Sequence, residues 1–213
     1  MRKYFFAVSV LLSSSLALAQ QPKPQQAQQP QSKINSLSME RYEGGSVKTN
    51  LGYNITLNKD SNLKREWFVL KDAKSPASIN EPAGINVIFK GGERSSLNEY
   101  QYFATFDLTP NEPVTAVEVR IHILDVFGQL LKTLSMTKLR DFDIKKSFDG
   151  TWRIWSENEA SEAYVSIIYV AKVRTASGAV YEIDKTAVLD QIRKISKRIT
   201  EADLEPKHDS PKP

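Results

Sequence analysis

From Lys64 to Ile183 the chain alternates apolar and polar residues with period two, as strands with one buried face require. Arg65 to Leu70 is the first clear run, stopped by Lys71-Asp72 and the Ser75-Pro76 turn, with a weaker edge strand at Tyr53 to Leu57 before it. Ile85 to Phe89 follows, and then Tyr100 to Leu108, whose even positions Tyr100, Tyr102, Ala104, Phe106 and Leu108 predict a core face. Pro110 and Pro113 end that strand. In the next, Val117, Val119, Ile121 and Ile123 alternate with Glu118, Arg120 and His122, which predicts a solvent-facing His122. Asp125 to Gly128 predicts a tight hairpin in which Gly128 takes a positive φ, and Asp125 either caps the turn or faces solvent.

Leu130 to Met136 returns the chain, Lys138 to Gly150 is polar with Asp149-Gly150 as a turn signal, and Thr151 to Trp155 is a short strand. There Trp152 shares a face with Ile154, and Arg153 with Trp155. Tyr164 to Val173 is apolar on both faces, with Val165, Ile167, Tyr169, Ala171 and Val173 on one side, which predicts a central strand or one covered by a helix. Thr175 to Gly178 turns the chain into Val180 to Ile183. The period then becomes three and four: Val188, Leu189, Ile192, Ile195 and Ile199 predict an amphipathic helix over 184–199 with Asp184 as N-cap. Its apolar stripe either packs on the sheet or docks into a partner.

Composition adds an address. Arg2-Lys3, the apolar Phe5 to Ala19 and the small-x-small Ala17-Leu18-Ala19 predict a signal peptide over 1–19. Gln20 follows the expected cut, where a lipid anchor would need cysteine, and the chain has no cysteine at all. The expectation is an exported bacterial protein, periplasmic or extracellular. The stretch 20–46 opens as QQPKPQQAQQPQ and predicts a disordered leader, 47–200 the folded domain, and 201–213 a flexible charged tail. Without Arg2 and Lys3, 27 basic face 25 acidic residues, which gives no electrostatic reason to expect nucleic acid. After position 19 no apolar run is long enough to cross a bilayer.

The expected fold class is mainly β, a sandwich of about seven to nine strands closed by one C-terminal amphipathic helix. The strand-and-turn rhythm from Tyr100 through Met136 resembles immunoglobulin-like or fibronectin-III-like domains of exported bacterial proteins. The resemblance spans Trp67 to Ile183 at the level of fold and lacks the cysteine–tryptophan–cysteine pattern. It implies a sandwich and no particular activity.

Catalytic and metal patterns are missing from the sequence. Only His122 and His208 offer imidazole, no G-x-S-x-G elbow exists, and Gly91-Gly92-Glu93-Arg94 lacks the phosphate-loop spacing. Asp141-Phe142-Asp143 is a fragment of a calcium loop. Glu157 and Glu159, with Glu99, Asp107 and Glu182, are the carboxylates a hydrolase would draw on. The expectation is a non-enzyme without cofactor or metal, binding a protein or envelope component through Arg153, Trp155 and Tyr164. Carbohydrate recognition by exposed aromatics is the alternative, and a carboxylate-dependent hydrolase the third reading.

Overall fold

The computed structural model describes residues 36–43, 46–49, 65–90, 99–154 and 162–206. The expected signal peptide, most of the leader, the Tyr53–Leu57 strand and the Gly91–Arg94 stretch lie outside them. Ten strands are described: β1 (Leu37–Glu43), β2 (Ser46–Thr49), β3 (Glu66–Asp72), β4 (Ala77–Lys90), β5 (Glu99–Pro110), β6 (Val114–Leu124), β7 (Leu130–Phe142), β8 (Lys146–Ile154), β9 (Val165–Thr175) and β10 (Val180–Glu182). Helix α1 (Lys185–Ile192) and a 3-10 turn (Glu201–Leu204) follow. The first sheet runs β1-β3-β9-β6-β7, with β10 paired to β9, and the second runs β2-β4-β5-β8. Pairing is antiparallel except for β3–β9 and β2–β4, which are parallel.

The two sheets bury their facing sides against one another. Tyr102, Ala104, Phe106 and Leu108 of the second meet Val117, Val119, Ile121, Ile123, Ile168 and Val170 of the first, as period two predicts. A second apolar cluster lies on the other side of the first sheet, where Val165, Ile167, Tyr169 and Ala171 meet Val188, Leu189 and Ile192 of α1 together with Ile199 and Leu204. Strand β9 is therefore apolar on both faces because it has a sheet on one side and a helical cover on the other. The register between β6 and β9 slips between Glu118 and Val119, opposite Lys172 and Val170. That bulge turns Val173 to the inter-sheet core, away from the side its parity predicts.

Several turns match their sequence signals. Asp125 caps the β6–β7 turn, its Oδ1 accepting from the backbone N of Phe127 (2.9 Å) and Gln129 (2.7 Å). Gly128 takes φ 74° there and Gly178 φ 90° in the β9–β10 turn. Asp184 caps α1, accepting from Thr186 N at 2.9 Å and Ala187 N at 3.3 Å. Asp184→Ala is expected to lose about 1 kcal/mol of stability in urea titration, and no change in the midpoint would remove the cap from the account.

Elsewhere the structure corrects the reading. Strand β1 falls inside the stretch assigned to the leader: Leu37 is buried beneath α1 and Tyr42 lies 6.5 Å from the Trp67 ring. The polar segment 138–150 is strand on both sides of a short turn at 143–145, because Phe142 and Phe148 anchor its ends, 5.4 Å apart edge to face. Asp149-Gly150 is consequently mid-strand. Helix α1 stops at Ile192, seven residues short of the predicted Ile199. Arg193 Nε donates to the Ile199 carbonyl at 3.2 Å and Ser196 Oγ to the Gly128 carbonyl, so side chains carry the chain back onto the sheet. The start of the tail is not loose either, since Leu204 is buried and Glu205 is paired.

Candidate functional site

The outer sides of the two sheets differ. Helix α1 and the 3-10 turn lie against the first sheet. On the second, β5 sits between β4 and β8, and its odd positions Gln101, Phe103, Thr105 and Asp107 point outward, half-buried. Strand β8 sets Arg153, Thr151, Asp149 and Ser147 beside them in register, all exposed. Phe103 is the aromatic of this array among the described side chains, with hydrogen-bonding groups on every side. Lys145 Nζ meets Asp107 Oδ2 at 2.8 Å, and the Lys145 and then the Ser147 hydrogen bond hold that carboxyl below its usual range.

The three residues expected to bind do not form one described patch. Arg153 belongs to this outer face, because its neighbour Trp152 turns inward to lie 6.1 Å from the Tyr102 ring. Tyr164 is half-buried against the cluster beneath α1, its N bonded to the Leu124 carbonyl at 2.9 Å. It thus belongs to the opposite outer side. Trp155 lies outside the described residues, as do Glu157, Glu159, His208 and the Glu99 side chain. Glu182 pairs with Lys172 at 3.5 Å on the first sheet.

His122 overturns its expectation most completely. It is 0% exposed, because the side of β6 that carries Glu118, Arg120 and His122 is roofed by the C-terminal segment. Its Nδ1 lies 2.9 Å from Thr133 Oγ1 and its Nε2 3.0 Å from the Tyr169 hydroxyl, with the two rings stacked at 5.5 Å. Thr133 donates onward to the Asp203 carbonyl at 2.6 Å. Arg120, 5% exposed, donates to the Leu204 carbonyl at 3.1 Å and meets Glu118 at 2.8 Å and Glu205 at 2.9 Å. Burial, then the Arg120 charge, push the imidazole down to about 4. Period two alone could not reveal this, since a polar face and a roofed polar face read alike. The available signal was Leu204 in an otherwise charged tail.

Both ring nitrogens are committed inside the fold, so His122 offers no lone pair to a substrate or metal. Among the described residues, no group of three or more His, Cys, Asp or Glu could hold a metal ion. Nor is any described helix long and apolar enough to cross a membrane.

No family model matches the chain, and no curated protein matches it. Among solved structures it is similar to a hypothetical protein from Peptoclostridium difficile 630, at 8% identity, covering 58% of this chain and 93% of that one with a TM-score of 0.40. A likeness that shallow carries no functional argument. What the observations establish is a mainly β chain of two face-to-face sheets, one covered by the C-terminal segment and one without a helical cover among the described residues.

Proposed function

We propose that the protein is an exported, non-catalytic binding module that recognises a protein of the cell envelope through the outer face of its second sheet. The carrying observation is the asymmetry of cover among the described residues: the described helix and the C-terminal segment lie on one sheet, and none of the described elements lies over the Gln101–Phe103–Arg153 array of the other. An aromatic ringed by amide, hydroxyl, carboxylate and guanidinium groups suits a protein surface, where Phe supplies apolar contact and Arg oriented hydrogen bonds. A carbohydrate ligand would call for more flat aromatic surface than Phe103 provides within the described face. The address rests on the Met1–Ala19 signal pattern, and the enclosure of His122 takes the one described imidazole out of reach of a substrate.

An immunoglobulin-like arrangement is the finer fold we propose, supported by two packed sheets of mostly antiparallel strands. It has to accommodate the parallel β3–β9 and β2–β4 pairs, which depart from an all-antiparallel sandwich.

The test is retention of envelope proteins from the source cells on immobilised chain beginning at Gln20. The variants are Phe103→Ala with Arg153→Ala, Trp155→Ala, and Lys172→Ala on the covered sheet as control. Loss of at least about tenfold in affinity for a retained protein is expected for the Phe103/Arg153 pair, the size of a modest hot spot. Equal retention by that pair and by wild type would remove the second sheet from the proposal.

A further inference from the structure

We propose that residues 193–206 form a strap that acid releases from the outer side of the first sheet, because the hydrogen bonds holding it pass through a histidine that must stay uncharged. The donors all run one way. The Asp203 carbonyl can only accept, so Thr133 spends its one hydroxyl proton on it, at 2.6 Å. Thr133 Oγ1 therefore accepts from His122 Nδ1–H, and the unprotonated Nε2 accepts the Tyr169 hydroxyl proton. Thr133 thus ties the ring to the strap, while Arg120 holds the Leu204 carbonyl directly. Lys185 of α1 and Arg120 share Glu205, and buried Leu204 sits between these polar ties.

Protonating Nε2 breaks the sequence of donors. Its new N–H would face the donating Tyr169 hydroxyl, whose proton would lose its acceptor. It also places an imidazolium beside the Arg120 charge. The groups that face His122 are Arg120 and Glu118 from β6, Thr133 from β7, Tyr169 from β9, and Asp203 and Glu205 from the strap, with Lys185 of α1 behind Glu205. Asp203 attracts the proton, but its carboxylate caps Thr200 N at 3.0 Å, and Glu118 and Glu205 are both engaged by Arg120. Lifting the strap returns the ring to water and to its ordinary affinity for protons.

The sign follows by linkage. The closed ring titrates near 4 and a free ring near 6.5, so protons favour the open form as pH falls from about 6.5 toward 4. Between pH 7.5 and pH 5 the opening equilibrium is expected to rise about 30-fold. The Glu205 carboxyl, lowered by the Lys185 hydrogen bond, stays ionised through that window.

Amide hydrogen exchange on the full chain, corrected for intrinsic rates, measures this. The strap amides of Thr200 and Asp203 are expected to open about 30-fold more at pH 5 than at pH 7.5, while β6 and β9 keep their protection. In His122→Gln the strap's pH response should vanish. A flat response in wild type, simultaneous loss of β6, β9 and strap protection, or an undiminished response in the glutamine variant would each overturn the proposal. Ring nitrogen NMR of wild type decides independently of any variant's folding: the Nδ1–H tautomer at pH 7.5 is expected, and the Nε2–H tautomer would refute the relay.

Discussion

His122→Leu is expected to destabilise the protein by about 3 kcal/mol at pH 7.5, on the scale of losing a buried hydrogen-bond network. Leucine fills a similar volume, so the loss is chiefly polar. The Tyr169 hydroxyl, in a residue 1% exposed, is left without the acceptor it had at 3.0 Å, and Thr133 loses its donor at 2.9 Å. Each stranded buried group costs roughly 1–3 kcal/mol. Equilibrium urea unfolding checks the size, and a loss under about 1 kcal/mol would mean that the relay contributes little to stability. Adding Tyr169→Phe should recover part of the loss, because the phenylalanine removes the stranded donor along with its partner. The leucine variant should also lose a pH dependence. In wild type the lowered imidazole contributes about 3 kcal/mol above pH 6.5, which disappears progressively as pH falls toward 4.

What was legible in the sequence was whatever alternation encodes directly. The inward rows of β5 and β6 match their parity, because each has a single apolar side packed against the opposite sheet. The turns at Asp125 and Gly178 match too, since their chemistry is local. The failures at β6 and β1 share one cause: a strand's second neighbour is not written in its own pattern. His122 and Arg120 read as solvent-facing until Leu204 and Glu205 close over them. Leu37 and Met39 likewise mean little until α1 arrives to cover them, and the Gln/Pro stretch before them pulls the reading toward disorder.

The candidate site was legible only at Arg153, which alternation places opposite the inward Trp152. Phe103 went unnoticed because its row looked like the solvent side of an ordinary strand. Its importance comes from the neighbouring register, which sets Thr151 beside it and Arg153 beside Gln101. Tyr164 and Arg153 are eleven residues apart in sequence and on different sides of the fold, since the chain crosses from the second sheet to the first between them.

Gly150→Ala should be the second large effect, a loss of about 1–3 kcal/mol, typical of overpacking a core. Gly150 and Trp152 share the inward side of β8, and the indole folds back over the glycine. A Cβ at 150 would lie 2.8 Å from Trp152 Cζ3 and 2.9 Å from Cζ2, and closer still to Cη2. The indole would have to leave its seat beside Tyr102 and give up the hydrogen bond from Nε1 to the Ser135 carbonyl at 2.9 Å. That bond lies on β7, the edge strand of the first sheet, so the same displacement uncovers strand edge. Gly150→Ala should therefore aggregate more readily on refolding, as light scattering would register. The cause can be isolated with Trp152→Ala. In that background the three indole contacts under 3.0 Å are gone, and an alanine in a strand is favoured over glycine by roughly 0.5–1 kcal/mol. Gly150→Ala should then be neutral or stabilising. Additive losses in the double variant would show that the glycine serves backbone conformation and has nothing to do with seating the indole.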